Sequence, residues 1–407
     1  MRLRIESFYD KQVISWSKLL LSIIGLWPEN HNDFRFFFYI TYIISCSLLL
    51  IVNLMQNMHD MKKVMRYITF VFPSILIVLK NVMFRWKKDQ LLPILAVIKG
   101  NVKEGLYQTY DEKYKVIWYN IASTLFTTSS VTSLFFVPAL YYLAPIFACI
   151  LSNEYGSGNC TLPYELPVRV NLVYEISGMR SYVLFCVILI PSSTFLTIGA
   201  TAADSAMISL TFYLCGQLSI LDHRMKNIDL KSSKCHYEMK VLVKRHMELI
   251  QLANILADTF SWLMFVQTVG IIFSLCIILY QLLMTAEGEK EIDEIIHFMM
   301  YSIAVVLLAF CYCFLGECLI SESLALEWAC YSINWYESSS EFVHLLMICI
   351  ARSRKPLCLT AGKFYVFSLE TFGTVNSMIF PNVLNRTVTD ILHNCSVSDL
   401  FLILICK

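Results

Sequence analysis

Charged residues are scarce in this sequence. Asp, Glu, Lys and Arg make up 15% of its 407 residues, 57% are hydrophobic, and the mean hydropathy is +0.60. A soluble domain typically carries about 25% charged residues. The shortage excludes an ordinary water-soluble domain and indicates a membrane protein. The net charge of +1 is uninformative, because orientation in a membrane depends on each loop and not on the sum.

The sequence also lacks the motifs of common enzyme classes. Its fifteen cysteines form no CxxC pair, its eight histidines form no HExxH and no i,i+4 pair, and neither GxSxG nor a Gly-rich phosphate loop occurs. Cys311 and Cys313 lie two apart on a predicted helix, so they cannot both face one metal and are expected to be small core residues. We therefore expect no enzyme activity, no cofactor and no nucleic-acid partner.

The first 33 residues show no pattern of a cleaved signal peptide. Basic and acidic residues are mixed there, whereas a secretory signal places basic residues before an apolar core. The only apolar run, residues 19–27, is too short to span a bilayer. It is expected to lie at the membrane interface or to pack on the helical bundle.

Seven apolar segments are predicted to span the bilayer, because a hydrocarbon core of about 30 Å requires roughly twenty apolar residues as helix. In the second, Arg66 and Lys80 are expected to snorkel toward opposite interfaces. In the fourth, Asp204 is expected near the inner interface. The predicted spans are 36–55, 64–84, a stretch from 116, 181–221, 259–284, 295–316 and, after a short apolar helix at 342–350, a final span at about 364–384.

Lys and Arg are unequally distributed between the two sets of predicted loops. Twenty-two lie on the side of the N-terminus and five on the other side, which places the N-terminus in the cytoplasm and the C-terminus outside. The sequons at Asn159, Asn385 and Asn394 lie on the predicted outer side, and Asn159 is the candidate glycosylation site. Cys149 and Cys160 flank the same outer loop, which would allow a disulfide.

Residues 222–258 carry seven basic and five acidic side chains interleaved with apolar ones. The pattern predicts an amphipathic helical continuation of the fourth and fifth spans below the membrane. Its apolar stripe either forms an intracellular assembly domain or packs within one subunit. The Asp222-His223-Arg224 triplet faintly resembles the acidic-Arg motif of G-protein-coupled receptors, but it follows the fourth span and not the third, and the predicted orientation is opposite to theirs. The triplet is therefore expected to be a solvated helix surface.

Five short motifs follow one another between residues 316 and 375. They are GECLISES (Gly316–Ser323), NWYE (Asn334–Glu337), RSRKP (Arg352–Pro356), LTAGKF (Leu359–Phe364) and SLETF (Ser368–Phe372). In this order and spacing they resemble the C-terminal region of insect odorant receptors. IIGLWP (Ile23–Pro28) and ANILADTF (Ala253–Phe260) resemble that family's N-terminal element and the sequence leading into its fifth span.

The resemblance implies an odorant-gated cation channel subunit at the cell membrane of olfactory neuron dendrites. It also implies a tetramer in which each subunit contributes its last helix to a central pore. The odorant-tuned subunit assembles with the co-receptor Orco through cytoplasmic helices, so the implied partners are Orco, a small volatile odorant and the lipid bilayer. A gustatory-type receptor is the alternative. The residues implied in assembly are Glu317, Glu322, Trp335, Tyr336 and Lys363.

The expected fold is therefore an all-α membrane protein with seven transmembrane helices and a cytoplasmic anchor. The expected regions are a cytoplasmic segment (1–33), spans one to four with the outer ligand-binding bundle (34–221), a cytoplasmic helical extension (222–258), spans five and six with the first part of helix seven (259–350), the pore-lining final helix (351–384) and a divergent tail (385–407).

The resemblance implies an odorant pocket in the outer half of spans two, three, four and six. Aromatic and Met side chains suit small volatile ligands, because such binding depends on shape and dispersion. Each of them could equally be a core or lipid-facing residue. The candidates are Tyr67, Phe70, Val71, Phe135, Phe136, Tyr141, Tyr142, Phe185, Met299, Met300 and Tyr301.

The candidate pore residues are Glu370, Val375, Ile379 and Val383. Glu370 lies seven residues beyond Lys363, roughly 10 Å further along if both are on one helix. An ionisable group inside a membrane is costly and is a functional candidate. Glu370 would either face the conduction path or a subunit contact and attract cations, or act as a structural partner of Lys363 or a neighbouring helix.

The basic cluster Arg352, Arg354 and Lys355 before Pro356 predicts a cytosolic turn within the seventh helix. After Val375 the resemblance ends, and we hypothesise that the tail from about residue 376 comes from a mis-spliced or mispredicted last exon. A multi-span small-molecule transporter is the alternative of another class. It would show related halves and charges at mid-membrane, whereas no repeat is found and the spans before the seventh are largely free of central charge.

Overall fold

The computed structural model describes residues 15–59, 61–103, 107, 109–151, 179–286 and 292–374. Within these ranges the chain is predominantly helical, as its composition predicts. The helices are α1 (Ser15–Ile24), α2 (Asp33–Gln56), α3 (Met61–Lys87), α4 (Leu92–Lys103), α5 (Tyr110–Leu151), α6 (Met179–Lys226), α7 (Cys235–Ala286), α8 (Ile292–Tyr331) and α9 (Ser340–Ser353). Single 3-10 turns lie at Lys88–Leu91 and Trp335–Glu337.

A short hairpin and the start of one more helix follow α9. Strand β1 (Thr360–Ala361) pairs with β2 (Tyr365–Val366) in antiparallel register, Thr360 opposite Val366 and Ala361 opposite Tyr365. The chain is helical again from residue 369 and is described as far as residue 374. We call this segment the last helix.

Five stretches of the described chain are long and apolar enough to cross a membrane. They are Asp33–Gln56, Tyr67–Asn101, Leu189–Lys226, Cys235–Gln281 and Phe298–Tyr331. They contain most of predicted spans one, two, four, five and six. The predicted third span lies on α5, which is helical over 42 residues, and the predicted final span extends past the described residues.

Helix α1 contains the short N-terminal apolar run. Leu20, Leu21 and Ile24 are buried, which confirms packing on the bundle. The helix ends at Gly25 with φ +82°, where Gly25 N donates to Ser22 O (3.2 Å) and Leu26 N to Leu21 O (2.7 Å). This pair of bonds is a Schellman cap, which favours glycine because other residues are strained in the left-handed region.

The chain divides into two units. The N-terminal unit contains Ser17–Val82 and Leu125–Ser205. Its described core is formed by α1 to α3 and the first part of α6, and includes Leu21, Phe36 and Ile43, exposed by 4% or less. Hydroxyl groups connect its helices: Ser17 Oγ donates to Ser205 O (2.8 Å) and Ser47 Oγ to Ser74 Oγ (2.9 Å).

The C-terminal unit contains 83–124 and the described residues from 206 onward. The helical continuation predicted for residues 222–258 is confirmed: α6 runs to Lys226 and α7 begins at Cys235. Of the predicted apolar stripe, Met239, Leu242 and Ile250 are buried within the chain itself, while Met247 is 45% exposed. Most of the stripe therefore packs inside one subunit, and a smaller part is available at the surface.

Candidate functional site

The segment before the last helix contradicts the prediction of a continuous helix from about residue 364. As predicted, α9 ends at Ser353, close to Pro356. The chain then forms the hairpin, in which Gly362 (φ +57°) and Lys363 (φ +68°) occupy the left-handed region. Two consecutive residues with positive φ reverse the chain and cannot continue a right-handed helix. The last helix therefore starts at residue 369.

This start changes the position of Glu370. The residue lies in the first turn of the last helix and is exposed, while Lys363 lies in the hairpin turn. The two are not on one helix, so the expected separation of roughly 10 Å along a common helix axis was wrong. In the first turn a carboxylate interacts favourably with the positive end of the helix dipole. The pore and subunit-contact roles of Glu370 stay predictions.

Three side chains cap the last helix. Ser368 Oγ accepts from Thr371 N (3.1 Å), and Thr371 Oγ1 accepts from Ser368 N (3.1 Å), a reciprocal arrangement like a capping box. The carboxylate of Glu317, on α8, accepts from Leu369 N at 3.1 Å. Glu317, a predicted assembly residue, thus has a partner within its own chain.

The other predicted assembly residues differ in their surroundings. Glu322 on α8 accepts a hydrogen bond of 2.6 Å from the Tyr119 hydroxyl on α5. Trp335 and Tyr336 form an edge-to-face aromatic pair and are 46% and 68% exposed. Lys363 is exposed in the hairpin turn. The two aromatic residues are therefore available to a partner, whereas Glu322 connects two helices of one subunit.

The sequence predicted a solvated helix surface at the Asp222-His223-Arg224 triplet, and this prediction was wrong. Asp222 is 7% exposed, and its carboxylate lies 2.8 Å from Lys226 Nζ. Arg224 donates two hydrogen bonds to the buried Glu112 carboxylate, at 2.7 and 3.1 Å. Such forked pairing is geometrically specific. Glu112 comes from α5, far away in sequence, so no local pattern could reveal it.

Two further polar contacts lie inside the C-terminal unit. Cys349 Sγ on α9 is 3.4 Å from His246 Nδ1 on α7, and a hydrogen bond from the Cys330 thiol lowers the pKa of the Cys349 thiol. Burial raises the pKa of Tyr107, whose hydroxyl accepts from Gln217. Among the described residues, no group of three or more His, Cys, Asp or Glu could hold a metal ion.

The N-terminal unit contains an ion pair that overturns the snorkelling predicted for Lys80. This residue is 4% exposed, and its Nζ donates to Asp204 Oδ2 (2.5 Å) and to Ala200 O (3.0 Å). The neighbouring Asn81 Nδ2 donates to Gly199 O (3.1 Å). The sequence contained a signal for this site, since predicted span two carries Lys80 besides Arg66 and predicted span four carries a single charged residue, the acidic Asp204.

The predicted ligand-binding residues are distributed over both units. On α3, Tyr67 and Val71 are buried and Phe70 is half-buried. On α8, Met299 and Met300 are 51% and 59% exposed, and Tyr301 packs on a cluster of Leu275, Ile278, Phe298 and Val305. Phe135, Phe136, Tyr141, Tyr142 and Phe185 lie on helices, but their side chains are outside those described. The pocket stays a prediction.

Several predicted sites lie outside the described residues altogether. They include the pore candidates Val375, Ile379 and Val383, the sequon at Asn159 and the tail from residue 376. Of the proposed Cys149–Cys160 disulfide, neither side chain is described. The prediction that Cys311 and Cys313 are core residues is confirmed for Cys313, which is buried, while Cys311 is half-buried. Neither thiol forms a disulfide.

Comparison with known proteins places these features in a family. The model of the family described as 7tm Odorant receptor matches residues 60–380. Odorant receptor 9a of Drosophila melanogaster is 26% identical over 234 residues, covering 57% of this chain and 58% of the relative. The odorant receptor coreceptor of Anopheles gambiae is 26% identical over 137 residues, or 34% of this chain and 28% of the coreceptor. The matches thus span less than two thirds of these relatives.

The fold has a close counterpart among solved structures. The insect olfactory receptor OR5 from Machilis hrabei, in complex with eugenol, superposes with a TM-score of 0.69 and 14% sequence identity, covering 94% of this chain and 100% of that chain. At this identity the likeness establishes the fold alone. Together with the family match over most of the sequence, it leads to one conclusion: the chain belongs to the insect odorant receptor family.

Proposed function

We propose that this chain is an odorant-tuned subunit of a ligand-gated, non-selective cation channel that assembles with Orco. The observation that carries the proposal is the family match over residues 60–380, because it includes the helical bundle and the start of the last helix in one continuous stretch. The carboxylate of Glu317 on α8 caps the start of the last helix, which supports a last helix whose position depends on the rest of the subunit.

The same proposal gives the chain an orientation. The N-terminus lies in the cytoplasm, the C-terminus lies outside, and the described helices of the C-terminal unit around 222–258 form the anchor. The distribution of 22 against 5 basic residues supports it. Asn159 is then glycosylated: an Asn159→Gln variant should migrate faster than the parent chain, and enzymatic deglycosylation should abolish that difference. Equal migration before deglycosylation would contradict an outer location of this loop.

The proposed ligand is a small, mainly apolar volatile molecule. Tyr67 and Val71 present buried apolar surface on α3, and Met299 and Met300 present flexible apolar side chains on α8. Such residues bind by shape and dispersion and allow few polar contacts. We propose that Tyr67 and Val71, with the aromatic candidates of the same unit on α5 and α6, contribute to the odorant pocket.

The deciding experiment records whole-cell current from cells that express the chain with Orco, under a panel of volatiles and with G-protein signalling blocked. A rapid inward cation current that cells with Orco alone lack is the expected result. Surface biotinylation of both chains serves as the control for delivery. Silence across a broad panel with both chains at the surface would contradict the channel proposal, and a current that requires G-protein signalling would contradict direct gating.

A further inference from the structure

Two of the sequence motifs, GECLISES and SLETF, meet at the start of the last helix. We infer that Glu317 is a positioning residue: it fixes the N-terminus of the last helix to α8, and loss of this contact shifts the balance between closed and open channel. The first half of this inference rests on the contacts alone, and the second half rests on the proposed channel function.

The hydrogen-bond accounting at this helix start singles out Glu317. The first N–H groups of a helix have no partner within the helix. Ser368 satisfies Thr371 N, and Thr371 satisfies Ser368 N, both from within the segment. Leu369 N is instead bound by the Glu317 carboxylate of α8. The negative charge also suits the positive end of the helix dipole, so this contact joins α8 to the last helix both by geometry and by charge.

The residue before Glu317 brings the two backbones together. A Cβ atom on Gly316 would lie 2.1 Å from Phe367 O and 2.8 Å from Phe367 Cβ, which no side chain tolerates. Phe367 itself is 4% exposed and packs edge-on against Tyr312 of α8. Gly316 therefore lets the segment that leads into the last helix lie against α8. Glu317, the next residue of α8, then accepts the hydrogen bond from Leu369 N.

Polar contacts fix the chain up to this point. Leu357 N donates to Ser323 Oγ on α8 (3.1 Å), and Gly362 N donates to Ser261 O on α7 (3.0 Å). The Glu317 to Leu369 bond continues this series at the boundary of the last helix. Beyond it, Glu370, Gly373 and Thr374 are exposed. The contact therefore lies between a segment fixed to α7 and α8 and the exposed part of the last helix.

The environment suits a contact that breaks and reforms. Glu317 is half-buried and Leu369 is 38% exposed, so neither partner is enclosed by the protein. A fully buried carboxylate could not be released from its partner, because an unpaired charge would remain in the interior. The site thus combines a charged hydrogen bond at a helix start with a position at the surface of the subunit.

Hydrogen exchange tests the first half on the full-length purified chain, independently of current. In Glu317→Ala the amides in a peptide covering residues 364–374 should exchange about tenfold faster, because a hydrogen bond to a charged group is lost. Glu317→Gln, which keeps an acceptor, should fall between this variant and the parent. Glu341→Ala is the matched control, since this carboxylate is exposed on α9. Parent-like exchange in Glu317→Ala would overturn the inference.

Currents with Orco test the second half. At equal surface amount, Glu317→Ala should change the unliganded current or the half-maximal odorant concentration at least about threefold, with Glu317→Gln intermediate and Glu341→Ala unchanged. Faster exchange with unchanged currents would refute the gating role. If the parent chain conducts nothing, the proposed function fails while the exchange result still decides the anchoring. Should Glu317→Ala not fold, the isosteric Glu317→Gln decides both halves by its own departure from the parent.

Discussion

Replacement of Lys80 by methionine should destabilise the N-terminal unit more than the same replacement at any exposed lysine. The Lys80 and Asp204 side chains are 5% and 18% exposed, and Nζ lies 2.5 Å from Oδ2. Removing one partner of such a pair leaves an unpaired charge away from water, which costs about 3–5 kcal/mol. By contrast, replacing both partners with apolar residues of similar size is often close to neutral.

A double-mutant cycle measures this difference. Lys80→Met and Asp204→Leu should each lower the melting temperature of the detergent-solubilised chain, by roughly 6–10 °C if 1 kcal/mol corresponds to about 2 °C. The double variant should recover most of that loss. Lys244→Met, at an exposed position of α7, is the control and should change little. If Lys80→Met costs under about 1 kcal/mol, as for an exposed pair, or if the two effects simply add, the pair is not the buried unit described here.

Two further substitutions test local features. Gly25→Ala should destabilise by about 1–2 kcal/mol because alanine is strained at φ +82°, whereas Gly100→Ala, in a helix with open space around it, should be neutral or stabilising by up to about 1 kcal/mol; equal melting temperatures would refute the cap. Tyr119→Phe removes only the donor to Glu322 and should cost about 1–3 kcal/mol, while Tyr114→Phe, 60% exposed, should cost nothing measurable. A parent-like melting curve for Tyr119→Phe would show that the contact does not stabilise the unit.

Hydropathy located the helices of predicted spans one, two, four, five and six but not their ends. The first span was predicted at 36–55, and α2 covers Asp33–Gln56. The sixth was predicted to end at Gly316, whereas α8 continues to Tyr331. The difference has a simple cause: hydropathy reports the part of a helix that suits hydrocarbon, while the helix itself continues into water wherever its next turns can pack. The amphipathic pattern of 222–258 revealed one such continuation, because its apolar residues recur at helical spacing.

The polar contacts were predicted less well, and the reason is their distance in sequence. Lys80 was assigned to the interface because a single segment cannot show that Asp204, on another helix, lies within 2.5 Å. The hairpin was missed because two paired residues per strand leave no periodic signal, and because the positive φ at Lys363 is unusual for a residue other than Gly, Asn or Asp. Local patterns thus predict elements, while contacts between elements require the fold.

The motifs that carried the family resemblance mark positions where the backbone is constrained, and this limits what they can reveal. Gly25 occupies a left-handed cap, Gly316 lets Phe367 approach α8, and Glu317 binds the amide of Leu369. Each of these roles tolerates few residue types, so the residues that fill it form a recognisable sequence motif. A pocket for a volatile ligand imposes no such restriction, since apolar side chains of similar size replace one another at about 1–3 kcal/mol. The position of the last helix, by contrast, depends on single residues such as Gly316 and Glu317, so it can be tested residue by residue.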